Sequence, residues 1–220
     1  MSGLLLVISS PSGAGKSSIA KRLLERRSDL EYSVSATTRP KRPAEVAGRS
    51  YHFLTRPEFE ERIAAGQFLE WATYNGHLYG TLTAAVESSL AAGRNVILDI
   101  EVQGARHLRR SYPDSIQVFV MPPSGAVLVE RLCGRQTEDQ AVVCQRLLLA
   151  ADELLEAGSY DYVVINDDLN RAVSEIEAIL EAESHRPKRL TNLDDFISKV
   201  QREILDYADR NLAPQAPPTR

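Results

Sequence analysis

The chain has 220 residues, of which 43% are hydrophobic and 25% are charged, so it can form a buried core and is neither disordered nor of low complexity. Its 26 basic and 30 acidic residues give a formal net charge of −4, which disfavours binding to nucleic acid through bulk electrostatics. Its 2 cysteines exclude a disulfide framework, and the first apolar run, Leu4–Ile8, is too short to cross a membrane, so we expect a soluble cytoplasmic protein with no membrane partner.

Short apolar runs alternate with helix-like stretches along most of the chain. The runs are Leu4–Ser9, Val96–Ile100, Ile116–Met121 and Tyr162–Ile165, and the helix-like stretches are Lys16–Arg27, Leu82–Ala92, Val102–Arg110, Ala126–Leu132, Glu138–Glu156 and Leu169–Glu183. Apolar runs that are continuous rather than alternating are typical of strands covered on both faces. Strands that alternate with helices predict an α/β fold with a central parallel sheet flanked by helices.

The segment Glu31–Thr81 interrupts this alternation. It holds short alternating or aromatic runs, separated by Gly and Pro, around one predicted helix at Pro57–Ala65. This pattern indicates a small, partly antiparallel insertion, and a long insertion in a compact α/β domain is usually functional. Near the end of the chain, Phe196, Ile197, Val200 and Ile204 recur at helical spacing, so we expect a helix that packs on the chain's own core or on a second subunit.

A phosphate-binding pattern directly follows the first apolar run. The sequence SPSGAGKSS fits the P-loop pattern GxxxxGK[ST] except that Ser10 occupies the first glycine position. Two glycines let the backbone curl until its N–H groups face one concavity, and the helix that opens at Lys16 adds the positive end of its dipole. In such loops the Lys16 ammonium reaches the β- and γ-phosphates and the Ser17 hydroxyl ligates Mg²⁺. The pattern predicts binding of ATP or GTP through Ser12, Gly13, Ala14, Gly15, Lys16, Ser17 and Ser18.

Polar residues of the insertion suit an anionic acceptor. The run SATTRPKR places Arg39 and Arg42 beside hydroxyl groups, and arginine binds phosphate through two parallel hydrogen bonds. In FLEWATY, alternation puts Glu70 on one face with Phe68 and Ala72. Taken alone, each of these residues is equally well explained as a solvated charge or a packed ring. Together with the hydroxyl groups of Tyr51, Tyr79 and Thr81, they predict an anion site with an acceptor nearby.

These sequences together resemble the guanylate kinase family, whose members convert GMP and ATP to GDP and ADP. The resemblance is carried by SSPSGAGKSS, SVSATTRPKR, GRSYHF, FLEWATYNGHLYGT, VILDIEVQG and VINDDL and covers about Leu4 to Glu183. The chain departs from the family where Ser10 replaces a frequent glycine and Thr81 a common serine. The resemblance implies a P-loop core of residues 1–34, 82–125 and 155–184, a GMP-binding insertion of 35–81, and a helical lid of 126–154. Residues 185–220, a C-terminal helix and a disordered tail, lie beyond it.

The resemblance also implies a role for individual residues in a Mg²⁺-dependent transfer from ATP to GMP or dGMP. The GMP phosphate would be held by Arg39, Arg42, Tyr51 and Tyr79, and guanine would be faced by Ser35, Glu70, Thr81 and Asp99. The catalytic residues would be Lys16, Arg39, Arg42, Arg135 and Arg146, and ATP would also meet Arg131, Arg135, Asn166 and Asp167. Asp99 is ambiguous because it ends an apolar strand and could influence Mg²⁺ instead of guanine, with Glu101 as a rival for the metal.

Two other functions stay open at this point. A non-catalytic, peptide-binding module of the same fold is disfavoured because such modules lose the phosphate loop, whereas Lys16 and Ser17 are present here. A related kinase that acts on ribose 1,5-bisphosphate would not need a carboxylate such as Glu70 to read guanine. The sequence leaves open whether the protein is a monomer or a homo-oligomer.

Overall fold

The computed structural model describes residues 3–74, 76–134 and 140–212. Arg135, with its predicted catalytic role, and residues 213–220, the predicted disordered tail, lie outside this part of the chain. The strands are β1 (Leu5–Ser9), β2 (Leu30–Tyr32), β3 (Ala36–Thr37), β4 (His52–Phe53), β5 (Phe68–Tyr74), β6 (His77–Leu82), β7 (Asn95–Asp99), β8 (Ile116–Met121) and β9 (Tyr162–Ile165). The helices are α1 (Lys16–Arg26), α2 (Arg56–Ala64), α3 (Thr83–Ala91), α4 (Val102–Ser111), α5 (Gly125–Cys133), α6 (Gln140–Leu154), α7 (Leu169–Ser184) and α8 (Leu193–Leu212).

The larger sheet is parallel and has the strand order β2-β7-β1-β8-β9. Every residue of β1 is buried. The side chains of its first four residues alternate between two separate apolar clusters. Leu6 and Ile8 pack in the cluster that includes residues of α1 and α7, and Leu5 and Val7 pack in the one that includes residues of α3 and α4. The predicted α/β fold with a helix-flanked parallel sheet is therefore confirmed.

One core strand was not predicted. The edge strand β2 pairs in parallel with β7, whereas the sequence pattern placed most of it in the insertion. Only Leu30 of its three residues is fully buried, so it lacks the continuous apolar run that marks the other four strands. The other edge strand, β9, also has one fully buried residue but keeps an apolar run, so β2 was missed because it is short and carries Glu31 at its centre.

The insertion forms a second, mixed sheet with the order β4-β3-β6-β5. β6 pairs antiparallel with both β3 and β5, and β3 pairs in parallel with β4, so the partly antiparallel character is confirmed. Helix α2 covers this sheet by stacking Phe59 on Phe68, with ring centroids 4.3 Å apart. Its first turn is closed by a capping box between Thr55 and Glu58. The hairpin β5–β6 leads straight into α3, which packs on the core and fixes the insertion beside the carboxyl ends of β1 and β7.

The C-terminal helix α8 exposes its apolar stripe. Phe196 and Ile204 are 64% and 63% exposed, and among residues 193–211, whose burial the structure describes, only Leu193 and Ala208 are partly buried. The expectation that this stripe packs on the chain's own core is therefore wrong for residues 193–211, and packing on a second subunit stays a prediction. Among the helices that the structure describes, none is long and apolar enough to span a bilayer.

Candidate active site

The phosphate loop has the curled backbone that its two glycines predict. Gly13 and Gly15 have φ of 89° and 100°, in the left-handed region that favours glycine, and α1 begins at Lys16. A neighbouring amide fixes the loop from outside, because Nδ2 of Asn166 donates to the carbonyl of Ala14 at 2.8 Å. A Cβ on Gly15 would lie 2.3 Å from that Nδ2, so the approach also requires glycine.

Two residues predicted to meet ATP hold this loop. Asn166 is buried against it, and Arg131 donates to the carbonyl of Ala14 and to that of Asn166, both at 3.3 Å. The sequence pattern places Asn166 after β9 but could not show that its amide contacts the loop. Their predicted contact with the nucleotide stays a prediction, and their observed contacts shape the loop that would bind it.

Lys16 and Ser17 converge on Asp99 at the end of β7. The Lys16 ammonium lies 2.9 Å from Oδ1 of Asp99 and donates to the carbonyl of Ile100, also at 2.9 Å. The Ser17 hydroxyl donates to Oδ2 of Asp99 at 2.7 Å. Burial acts to lower the pKa of Lys16, but the carboxylates of Asp99 and Glu101 outweigh it and hold that pKa above its usual value. Lys16 is therefore positively charged throughout the physiological pH range.

The oxygen atoms around Ser17 suit magnesium. Mg²⁺ prefers hydroxyl, carboxylate and phosphate oxygens, and the Ser17 hydroxyl and Asp99 carboxylate already share one hydrogen bond. Glu101 lies on the other side of Lys16, with Oε1 at 3.5 Å from the ammonium. In the described ranges, no group of three or more His, Cys, Asp or Glu residues could hold a metal ion alone. The donor set fits Mg²⁺ brought in on nucleotide phosphates.

A small cavity between the insertion and the core holds most of the residues predicted to face guanine. Its volume is about 160 Å³, and it is lined by Ser35, Glu70, Asp99 and Gly104 among others. The Thr81 hydroxyl is fully buried and donates to Oε1 of Glu70 at 2.7 Å. Thr81 thus contacts the carboxylate and is not part of the cavity lining. Asp99 lines the cavity and also contacts Lys16 and Ser17, so the geometry keeps both of its proposed roles.

Burial changes the acid–base behaviour of Glu70. The residue is only 5% exposed, and its burial raises the pKa of its carboxyl group to about 7. The hydrogen bonds from Thr81 and the charge of Lys16 act in the opposite direction but are weaker. Hydrogen bonds donated by a ligand would stabilise the ionised form of this buried group and lower its pKa, so the site suits a ligand with donors.

The Glu70→Gln variant should become more stable relative to wild type as the pH rises. In the wild type, the native pKa of Glu70 lies above the usual 4.5, so its contribution is fully present below pH 4.5 and is lost as the pH rises through about 7. The amide of glutamine does not ionise, so the variant does not lose stability in this way. We expect the free energy of unfolding of the variant, relative to wild type, to rise by about 1–3 kcal/mol between pH 4.5 and pH 8. Urea unfolding at both pH values measures this, and parallel pH dependences would contradict the assignment.

Arg39 and Arg42, the arginines predicted to hold a phosphate, lie next to a carboxylate that was not predicted, that of Glu45. Arg39 donates to Oε1 of Glu45 at 2.5 Å, and the backbone N–H of Arg42 donates to Oε2 at 2.8 Å. The Arg39 hydrogen bond holds the pKa of Glu45 below its usual value. The Arg39 guanidinium also lies over the ring of Tyr51, 5.5 Å from its centroid, and the ring of Tyr79 meets that of Tyr51 edge-on at 6.0 Å. Arg39, Tyr51 and Tyr79 thus lie together, with Glu45 in contact with the Arg39 side chain and the Arg42 backbone, and phosphate binding here stays a prediction.

Helix α6 contacts the phosphate loop at Ser12. Arg146 donates to the Ser12 hydroxyl at 2.7 Å, and Oε2 of Glu153 accepts from the Ser12 backbone N–H at 3.4 Å. Glu153 is buried, and burial together with the charge of Glu101 raises its pKa to about 7. Glu153 was not predicted as a site residue, although an acidic residue in the apolar run LLLAADELL was a signal. Ser12 therefore joins the loop to the helix that carries a predicted catalytic arginine.

A large cleft of about 740 Å³ collects the phosphate loop and the cationic residues around it. Of the predicted catalytic residues, Lys16, Arg42 and Arg146 line it, while Arg39 lies against Glu45 and Arg135 falls outside the described residues. Tyr51 and Tyr74 line both this cleft and the small cavity. A ligand in the cavity would therefore lie next to one in the cleft. The remaining predicted residues that line the cleft are Ser12, Gly13, Gly15, Ser17, Ser18, Glu101, Arg131, Asn166 and Asp167.

Comparisons with known proteins agree on one family. Residues 2–183 match the family model described as guanylate kinase. The chain is similar to a guanylate kinase of Symbiobacterium thermophilum, with 50% identity over 85% of this chain and 89% of that protein. A guanylate kinase of Thermotoga maritima is 45% identical over 93% of this chain and 97% of its own length. The crystal structure of guanylate kinase from Anaplasma phagocytophilum superposes with a TM-score of 0.75 at 32% identity, covering 89% of this chain and 94% of that one.

Proposed function

Because the chain belongs to the guanylate kinase family and is a nucleoside monophosphate kinase that phosphorylates GMP, we propose that ATP is its phosphoryl donor, that Mg²⁺ is its cofactor and that dGMP is a second acceptor. The observation that carries the proposal is the adjoining pair of sites. A complete phosphate loop opens onto the large cleft, and a buried carboxylate lines the cavity beside it. One site suits a triphosphate and the other suits a base that presents hydrogen-bond donors.

The donor site would use the phosphate loop and Lys16. The backbone N–H groups of the loop and the start of α1 would hold the β- and γ-phosphates, and Lys16 would exchange its contact with Asp99 for one with phosphate oxygens. Ser17, with Asp99 or Glu101 through water, would hold Mg²⁺, which neutralises phosphate charge and aligns the reacting groups. Arg131, Asn166 and Asp167 line this cleft and are proposed to face the rest of the nucleotide.

The acceptor site would use the insertion. Arg39, Arg42, Tyr51 and Tyr79 would hold the GMP phosphate, and an oxygen of that phosphate would attack the γ-phosphorus as the bond to ADP breaks. The attacking group is already anionic near neutral pH, so the reaction needs no strong general base. What it needs is neutralisation of the charge on the transferred group, which Lys16 and the arginines, including Arg135 and Arg146, are proposed to provide.

The base pocket would select guanine. Guanine presents a ring N–H and an amino group side by side, and Oε2 of Glu70 faces the cavity while Oε1 is held by Thr81. Ser35 and Asp99 line the same cavity and would contact the base as well. A kinase that acts on ribose 1,5-bisphosphate would not need such a pocket, because that acceptor has no base. A peptide-binding module has no use for the contacts of Lys16 and Ser17.

The decisive experiment offers the purified protein a set of acceptors with Mg²⁺ and ATP. ADP release is measured with GMP, dGMP, AMP, UMP and ribose 1,5-bisphosphate. We expect GMP and dGMP to be used and AMP and UMP to be used poorly, because neither presents guanine's paired donors. Replacing ATP with GTP and omitting Mg²⁺ test the donor and the cofactor. Equal use of ribose 1,5-bisphosphate would overturn the proposed acceptor.

The reducing cytoplasm is the proposed compartment. Cys133 and Cys144 are both free and exposed, so neither is protected in a disulfide. Exposed thiols of this kind are stable where glutathione keeps them reduced. Measuring the free thiols of the protein as isolated from the cell tests this, and fully oxidised cysteines would contradict it.

A further inference from the structure

The backbone conformation at Gly104 does not require glycine. It lies in the first turns of α4, and it is not among the described glycines with positive φ. Glycine in a helix is less favourable than alanine, so something other than backbone conformation must account for it here. Its surroundings supply the reason, because a Cβ at this position would lie 2.3 Å from Oε2 of Glu70 and 3.1 Å from its Cδ.

The Glu70 carboxylate is confined between two elements. On one side Oε1 accepts the hydroxyl hydrogen of Thr81 at 2.7 Å, and on the other side Oε2 lies against the backbone of α4 at Gly104. Glu70 is 5% exposed, so its carboxylate can be reached only through the small cavity that it lines. Strand β5, which carries Glu70, therefore sets how closely the carboxylate approaches α4. Thr81 and Gly104 together set the orientation of the carboxylate.

We infer that Gly104 is a specificity-determining position, whose missing side chain lets α4 approach Glu70 so closely that the carboxylate is held in the orientation that reads the base of the acceptor. This inference rests on the proposed role of Glu70 in guanine recognition. Gly104 is a positioning residue, because it acts through Glu70. It lines the cavity beside the carboxylate and offers no polar side chain of its own.

Replacing Gly104 with alanine should displace the carboxylate without unfolding the helix. A carbon–oxygen contact needs about 3.3 Å, so Oε2 would have to move by about 1 Å from its present place. The carboxylate is the far end of a side chain and is easier to move than the helix backbone. A misplacement of about 1 Å in a reacting complex costs about 10²-fold, so we expect kcat/KM for GMP to fall by about 10- to 100-fold.

The readouts separate positioning from general damage. In Gly104→Ala, KM for GMP should rise and the ratio of kcat/KM for GMP to that for AMP should fall, while KM for ATP stays within about twofold. The matched control is Gly125→Ala, because Gly125 begins α5 and no atom lies within 4 Å of its Cβ position. That variant should behave as wild type. Gly104→Ala with GMP constants equal to those of Gly125→Ala would overturn the inference.

A shorter carboxylate provides the second arm. In Glu70→Asp, the carboxylate is withdrawn by one methylene group and leaves room for a methyl group at position 104. Adding Gly104→Ala to Glu70→Asp should therefore cost little further activity, which is a coupling that a double-mutant cycle measures. The same loss in both backgrounds would overturn the inference, and this comparison also serves if Gly104→Ala alone folds poorly. Glu70→Gln separates the two proposals, because an unchanged GMP-to-AMP ratio in that variant would refute the role of Glu70 itself.

Discussion

Replacing Lys16 with alanine is expected to lower kcat for GMP phosphorylation by about 10²- to 10³-fold and to leave the fold intact. The ammonium is held at 2.9 Å from Asp99 at the mouth of the phosphate loop, and the neighbouring carboxylates keep it charged. It is therefore placed to meet charge that develops on the transferred phosphoryl group, and methyl cannot replace it. Steady-state kcat with saturating ATP and GMP measures the loss of activity, and thermal unfolding of the variant shows whether the fold is intact.

The matched control for this prediction is Lys21→Ala. Lys21 lies on the same helix but is exposed, so its removal should change neither kcat nor stability appreciably. If Lys16→Ala kept kcat within about tenfold of wild type, Lys16 would not carry the transition-state charge assigned to it.

Glu70→Gln is expected to change which nucleotide the enzyme accepts. A carboxylate accepts from the adjacent ring N–H and amino group of guanine, whereas adenine presents a bare nitrogen acceptor at that edge. Sites that hydrogen-bond a substrate group reject an analogue without it by about 10⁴- to 10⁵-fold, so wild type should strongly prefer GMP to AMP. The amide of glutamine accepts less strongly and its NH₂ group would meet a donor of guanine. Because that NH₂ can pair with adenine, the ratio of kcat/KM for GMP to that for AMP should fall.

A second glutamate of the insertion provides the matched control for Glu70→Gln. Glu61 is an exposed residue of α2, and Glu61→Gln removes the same charge without touching the cavity. It should leave the ratio unchanged. An unchanged ratio in Glu70→Gln, with Asp99 intact, would mean that the guanine edge is read elsewhere.

The sequence predicted the core and the loop because their signals are local. Continuous apolar runs mark strands buried on both faces, and Gly13 and Gly15 mark a backbone turn, so β1 and the loop could be located without coordinates. Strand β2 carries little of that signal, since it has only three residues and the central one, Glu31, is charged. The division of the chain into core, insertion and lid stays a prediction.

The contacts that sequence reasoning missed join residues far apart in the chain. Glu153 meets Ser12, and Gly104 meets Glu70, each pair brought together only when helices pack on the sheets. A glycine in a helix has many ordinary explanations, and the acidic residues in the apolar run around Glu153 do not reveal which atoms they contact. Asn166 was predicted for the nucleotide, but its amide contact to the loop is visible only in three dimensions.

Glu45 accepts hydrogen bonds from the Arg39 guanidinium and from the backbone N–H of Arg42, so an anion of the chain itself already lies in the proposed acceptor site. On the proposed assignment, the phosphate of GMP would reach Arg39 by exchange with the Glu45 carboxylate. A phosphate monoester brings up to two negative charges to replace one, so the exchange is favourable for a nucleotide. A nucleoside brings none and would leave Glu45 in place. On the proposed assignment, the acceptor is thus selected by charge at its phosphate end, through Arg39 and Glu45, and by hydrogen-bond donors at its base end, through Glu70.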